Sequence, residues 1–127
     1  LGFDYTVDRL SVVSLNNQSN LFVKPTIQSI SEATNITIPD DTRYIATNTT
    51  AKNGYPITTF TWLIFFRDQN DTNLTVEEAK EFKLFLLWLI NDAQTYSESI
   101  GYSPLSKKVR LKAKKIINTM TFDGVPL

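Results

Sequence analysis

The sequence predicts an α/β chain, and three observations carry that prediction. Residues 55–66, from Tyr55-Pro56-Ile57-Thr58 to Phe65-Phe66, form a β-branched and aromatic run of strand length. Thr75-Val76-Glu77-Glu78 is a capping box, with Thr75 as N-cap and Glu78 reaching back to it, and it opens a helix to about Tyr96. Leu105, Val109, Ala113, Ile116, Ile117 and Met120 recur on one face at helical spacing, which predicts a second long helix over about 104–119.

The remaining elements follow in order. Leu10 to Leu15 and Leu21-Phe22-Val23 read as two short strands joined by the polar turn Asn16 to Asn20. Pro25-Thr26 opens a short helix through Ile27, Ile30 and Ala33, because Pro near the first turn removes an N–H that has no helical partner. Residues 34–54 are rich in Thr, Asn and Asp and predict a long connection ending at Gly54, with Tyr44-Ile45-Ala46 a candidate for brief pairing. In the run that follows, Pro56 belongs at the strand start. The nearly continuous apolar half, Phe60 to Phe66, predicts a strand covered on both faces. The helix after the capping box is apolar nearly all round from Phe82 to Ile90, so it needs protein on most sides. Ser103-Pro104 is read as the cap of the last helix, and Asp123-Gly124 as a turn in the tail.

Composition narrows the function. A chain of 127 residues, 42% hydrophobic and 20% charged, has the profile of one soluble globular domain. Lys plus Arg and Asp plus Glu each number 13, so no overall field favours nucleic acid or an acidic membrane. Lys107, Lys108, Arg110, Lys112, Lys114 and Lys115 do crowd onto the last helix. Without interleaved aromatic residues they read as a solvated face, and no nucleic-acid partner is expected. The chain has no His and no Cys, which removes the usual proton carrier at neutral pH, disulfides and thiolate chemistry. Asp40-Asp41 reads as loop, and Glu77-Glu78 as charge at a helix N-terminus, rather than as acid/base pairs. The four glycines are isolated, so no phosphate-cradling loop is present. The expectation is a non-enzymatic protein with no catalytic residue, no metal site and no cofactor.

Location is addressed by Asn-x-Ser/Thr sequons at Asn17, Asn35, Asn48, Asn70 and Asn73, candidate glycosylation sites of an exported protein. The opening Leu1-Gly2-Phe3-Asp4-Tyr5 has no signal-peptide pattern, and the longest apolar runs fall far short of the roughly 20 residues that span a bilayer. An extracytoplasmic place, in a periplasm or on a cell surface, is expected.

The stretch Gly54-Tyr55-Pro56-Ile57-Thr58-Thr59-Phe60-Thr61-Trp62-Leu63-Ile64 resembles a signature of the phosphate-binding proteins of Pst-type ABC importers, in which an aromatic-Pro-Ile-Thr/Ser segment leads into an apolar strand. Other pieces resemble that family in order and spacing. Leu1-Gly2-Phe3 resembles the end of its Gly-Ser-Ile-Gly-Tyr segment, and Leu10 to Ala33 its strand, turn, strand and short helix. Ala79 to Trp88 resembles its Lys-Phe-Phe-x-Trp helix, and Ile100 to Leu105 its Leu-x-Tyr-x-x-Leu-Pro turn. Asp123 to Leu127 resembles its Gly-Lys-Pro-Leu ending.

The resemblance implies part of a two-lobed, type II periplasmic-binding-protein fold with parts of both lobes present. Residues 1–54 would complete the second lobe, Tyr55, Pro56, Ile57 and Thr58 would be the hinge crossing, and the rest of 55–127 would complete the first lobe. The implied ligand is phosphate, held in the family by main-chain N–H groups, Ser/Thr hydroxyls, an Arg and an Asp that accepts a proton from the oxyanion. The motifs that carry those groups, including Arg-x-x-x-Ser-Gly-Thr, do not occur here, so no ligand residue is carried over. Thr58 and Thr59, close to the crossing, are the nearest ligand-binding candidates, set against the alternative of hydroxyls bonded to their own main chain. The implied partners are phosphate, the membrane permease of the importer, and either a missing N-terminal portion or a second copy to cover the apolar helix. The alternative from another class is a surface structural or interaction module that reuses part of this fold without transport.

Overall fold

The computed structural model of the chain describes residues 11–127; the expectations placed on Leu1-Gly2-Phe3 and Leu10 lie outside them. Three α-helices and two two-stranded antiparallel sheets make the described chain mixed α/β.

The first hairpin is shorter than predicted: β1 (Leu15–Asn16) pairs with β2 (Phe22–Val23), Leu15 opposite Val23. The turn between them is organised by one side chain. Asn17 Oδ1 accepts from the N–H groups of Ser19 (2.9 Å) and Leu21 (3.2 Å). Asn20 takes the left-handed conformation that Asn tolerates, with φ of 57°. Helix α1 (Ile27–Thr34) starts where Pro25-Thr26 predicts, with a reciprocal cap: Ser29 N–H donates to Thr26 Oγ1 (3.0 Å), and Thr26 N–H donates to Ser29 Oγ (2.9 Å).

The connection after α1 is irregular, as expected, but it is strapped down. Thr49 Oγ1 donates to Ala33 O (3.2 Å), and Tyr55 N–H donates to Ser29 O (3.1 Å). Gly54 lies so close to α1 that a Cβ there would sit 3.1 Å from Ala33 Cα and 2.9 Å from Ala51 Cβ. Tyr44-Ile45-Ala46 forms no strand; Ala46 is buried while Ile45 faces out.

Residues 55–66 do not form the predicted strand. A strand exists only where a neighbour receives its N–H and C=O groups. Among the described residues none does so for Thr61 to Phe65, which make no main-chain hydrogen bond. The expected two-sided cover is also missing among the described residues: Trp62, Leu63 and Phe66 are exposed, and Ile64 is 94% exposed.

Helix α2 (Val76–Ile90) has the capping box in full, with Thr75 N–H donating to Glu78 Oε2 (2.8 Å) and Glu78 N–H to Thr75 Oγ1 (3.3 Å). It stops six residues short of Tyr96. Asn91, a poor helix former, leaves helical geometry and donates through Nδ2 to Leu87 O (3.0 Å), and the chain continues as tighter 3₁₀ turns over Asp92–Tyr96 and Glu98–Ile100. Helix α3 (Lys107–Ile117) likewise starts later than predicted. Its cap is Ser106 rather than Ser103-Pro104, because Leu105 N–H is drawn away to Gln94 Oε1 (2.8 Å). Beyond α3, β3 (Thr121–Phe122) and β4 (Val125–Pro126) form a hairpin. Its turn residues Asp123 and Gly124 both have positive φ, 50° and 75°, as a type I′ turn requires.

The hydrophobic core lies between α2 and α3. Leu86, Ile117 and Met120 are its buried members, with Phe65, Phe82, Leu87, Leu89, Ile90 and Leu127 packed round them. Phe65 meets Phe82 edge-on at 6.2 Å between ring centroids. The opposite side of α2 is open: Leu84, Phe85 and Trp88 are exposed, with Phe85 and Trp88 stacked on each other at 6.0 Å.

Two substitutions test this packing in chemical denaturation of the chain. Leu86→Ala is expected to cost roughly 2–5 kcal/mol through the lost contacts and the cavity left behind. Gly54→Ala is expected to cost roughly 1–3 kcal/mol, since the new methyl must displace the α1 backbone. An unchanged midpoint for Gly54→Ala would mean that the strap does not bear on α1.

Candidate functional site

The two Thr candidates do meet in one place. Thr58 and Thr59 line a cleft of about 660 Å³ together with Tyr55, Ile57, Gln94 and the 100–105 loop. The segment Tyr55-Pro56 is pinned to the first part of the chain: Tyr55 N–H donates to Ser29 O, and Asn48 N–H to Pro56 O at 2.7 Å. Thr58 is buried, and its hydroxyl donates to Tyr55 O (2.8 Å); the Thr59 hydroxyl is exposed and donates to Phe60 O at 3.4 Å. Both hydroxyls thus give their protons to the main chain. Among the described residues, no Lys, Arg, Asp or Glu lines the cleft. A divalent oxyanion needs several donors and a compensating positive charge to leave water; the described lining offers hydroxyls such as Ser97, Tyr102 and Ser103 but no cation.

Gln94, which periodicity does not single out, fixes the far wall. Its Nε2 donates to Leu89 O (2.8 Å) while its Oε1 accepts from Leu105 N–H, tying the end of α2 to the loop before α3. A second groove, of about 400 Å³, runs between residues 60–65, α2 and α3, and its walls are almost wholly apolar: Phe60, Trp62, Leu86, Ile90, Val109 and Ile116 among them. Ile38 and Thr42 also line it, and Asp40 pairs with Lys112 of α3, so the connection reaches the last helix.

The basic face of α3 stands as expected at Lys107, Lys108, Lys114 and Lys115, all exposed. Arg110 departs from it: the residue is partly buried, and its Nε is enclosed with no hydrogen-bond partner among the described residues. Asp40 and Asp41 are held below the usual carboxylate range, Asp40 by hydrogen bonding to Lys112 and Asp41 by the N–H and guanidinium of Arg43. Each belongs to a surface pair, and the two do not form a dyad.

The most connected carboxylate is one the sequence reading passes over. Asp68 accepts from the N–H groups of Gly124 (2.8 Å), Asp123 (2.9 Å) and Asn70 (3.0 Å) and from the Thr121 hydroxyl (3.0 Å). These bonds, led by Gly124, lower its pKa. It caps the 3₁₀ turn Gln69–Asp71 and ties that turn to the β3–β4 hairpin. The visible signal was an Asp two residues before Asn70, an ordinary Asx cap; its grip on residue 124 is not readable locally.

Of the sequon asparagines, Asn35, Asn48, Asn70 and Asn73 are exposed, while Asn17 is 5% exposed. Asn17 Nδ2 donates to Lys52 O (2.8 Å) and Gly54 O (3.2 Å). The Asn17 amide is thus bonded at both ends to the protein's own main chain.

Two comparisons bear on these features. No family model matches the chain. The phosphate-binding protein PstS of Methanocaldococcus jannaschii is 32% identical to it over 95 residues, which cover 68% of this chain and 24% of that protein. The likeness is to a phosphate-binding protein. The chain spans about a quarter of the length of the curated relative it matches. Among the described residues, no helix is long and apolar enough to cross a membrane.

The carboxylates give a pH prediction. Asp68, Asp40 and Glu78 all have lowered folded pKa values. Their contribution is therefore complete above the unfolded values of about 3.9 for Asp and 4.3 for Glu, and is lost as pH falls through the folded ones. With no His in the chain, the thermal midpoint should be flat between about pH 6 and 8 and fall below about pH 4. Asp68→Asn should lower the plateau and weaken the acid dependence; a profile identical to that of the parent chain would show that the Asp68 bonds contribute nothing.

Proposed function

We propose that this chain is the C-terminal part of an extracytoplasmic phosphate-binding protein that serves an ABC importer. The observation that carries the reading is the 32% identity over 95 residues to a phosphate-binding protein about four times the aligned length. In this reading residues 1–54 complete one lobe and the bulk of 55–127 the other, in a two-lobed type II binding-protein fold. Tyr55 to Thr58 form a hinge, and closure of the lobes over phosphate presents the anion to a membrane permease. The role is binding and delivery, without catalysis.

The physical support comes from what is left uncovered. The main-chain groups of Thr61 to Phe65 lack partners among the described residues, the groove beside them is apolar, and α2 exposes Leu84, Phe85 and Trp88. Buried apolar area contributes about 25 cal/mol per Å², and a surface of this kind is covered in a working protein. The proposed cover is the remaining portion of a longer chain, which inserts strands on either side of residues 60–66 and brings the Arg, Asp and N–H donors that the Thr58–Thr59 cleft lacks.

Two measurements test this reading on the full-length protein. Titration calorimetry at neutral pH should give saturable heat with phosphate; absence of heat would sink the transport role and favour a structural surface module. Hydrogen exchange should show the amides of residues 61–65 protected by pairing with the added strands. Exchange at the rate of free peptide would mean that no such cover exists.

A further inference from the structure

The feature that solute binding leaves unexplained is the set of sequons. The chain contains ten asparagines, five of them followed by x-Ser or x-Thr, where the Ser and Thr content would give about two by chance. The structure sorts the five into two kinds.

Asn17 is occupied by its own fold. Both ends of its amide are bonded, Oδ1 to the Ser19 and Leu21 N–H groups and Nδ2 to the Lys52 and Gly54 carbonyls. The other four behave differently. Asn35 closes α1, Asn48 lies in the connection, and Asn70 and Asn73 lie in the loop before α2. All four are exposed, and among the described residues none makes a side-chain hydrogen bond.

Their positions also avoid the apolar surface. No sequon falls within residues 51–69 or 76–127, the stretches that hold the uncovered run, the outer face of α2 and all of α3. Asn73 sits before the first turn of α2, and at 1.5 Å per residue the helix places Trp88 about 20 Å further along. In sequence, all four candidates thus lie outside the stretches that call for a protein cover.

We infer that Asn35, Asn48, Asn70 and Asn73 are N-glycosylated in the exported protein and that Asn17 is not. In the reaction the asparagine Nδ2 bonds to the anomeric carbon of a lipid-phosphate-linked oligosaccharide. The bond from that carbon to the phosphate oxygen breaks, the lipid phosphate leaves with the electron pair, and the proton displaced from Nδ2 passes to a base of the transferring enzyme. The inference rests on the extracytoplasmic placement proposed above, since the transfer takes place outside the cytoplasm.

The test is peptide mass mapping of the full-length protein isolated from the organism that makes it. Sugar mass increments are expected on the peptides carrying Asn35, Asn48 and the Asn70–Asn73 pair, with the Asn17 peptide at its unmodified mass. Unmodified mass at all four exposed sites, or a sugar on Asn17, overturns the inference. Asn73→Gln should remove one increment and leave the melting temperature close to that of the parent, since Asn73 is exposed and has no left-handed backbone to maintain. Asn17→Gln should remove none and lower the melting temperature, because the longer amide no longer fits four hydrogen bonds. Phosphate titration of the same preparation keeps the two readings apart. Bound phosphate on an unglycosylated protein defeats only this inference, and sugars on a protein that ignores phosphate defeat only transport.

Discussion

Leu86 of α2, Ile117 of α3 and Met120 just past it form a buried hydrophobic cluster from which the elements of the second half take their places. Phe65 and Phe82 pack against it and meet each other edge-on, Leu127 returns to it from the C-terminal hairpin, and the capping box at Thr75 starts the helix that carries Leu86. Burying a side chain of this size contributes about 1.5–3 kcal/mol, so three such residues make a narrow core for a chain this long. The cluster also has only one inner side. Leu86 faces α3 while Leu84, Phe85 and Trp88, on the same helix, face outward.

Around that core the loops are placed by single polar side chains acting across long stretches of chain. Asn17 reaches Lys52 and Gly54, Gln94 joins Leu89 to Leu105, and Asp68 joins the 3₁₀ turn to residues 121–124. Each satisfies main-chain groups that no helix or sheet provides for. The candidate cleft is a product of these ties: Thr58 and Thr59 reach it because Tyr55 and Pro56 are held to Ser29 and Asn48. Part of its wall is set by polar side chains that bond to the protein's own main chain, Gln94 and Thr58 among them.

What the sequence made legible follows the same division. The Thr75–Glu78 box, the Pro25-Thr26 helix start, the long connection and the Asp123-Gly124 turn all came out where local chemistry places them, since each is decided within about four residues. The strand over 55–66 did not form, because pairing depends on a neighbour that composition cannot name. The ends of α2 and the start of α3 shifted by a few residues, because Asn91 and the Gln94–Leu105 bond compete with the apolar period. Asp68 and Gln94 escaped notice because the bonds that tie separate parts of the chain, to Leu105, Thr121, Asp123 and Gly124, span 11 to 56 residues. The Thr58 and Thr59 hydroxyls take the other course the sequence offered, donating to the nearby main-chain carbonyls of Tyr55 and Phe60.

The uncovered run has a consequence for how such a protein must be made. Phe60 to Phe66 is seven residues without a charge, a Pro or a Gly, strongly β-prone, and the main chain of Thr61 to Phe65 within it is unpaired among the described residues. Segments of that kind stack on copies of themselves into cross-β assemblies when they are left in water. Synthesis runs from the N-terminus, and domains fold as they emerge. A cover encoded upstream would already be waiting when this run leaves the ribosome or the export channel, and the order of the segments in the gene would then guard against aggregation during biogenesis.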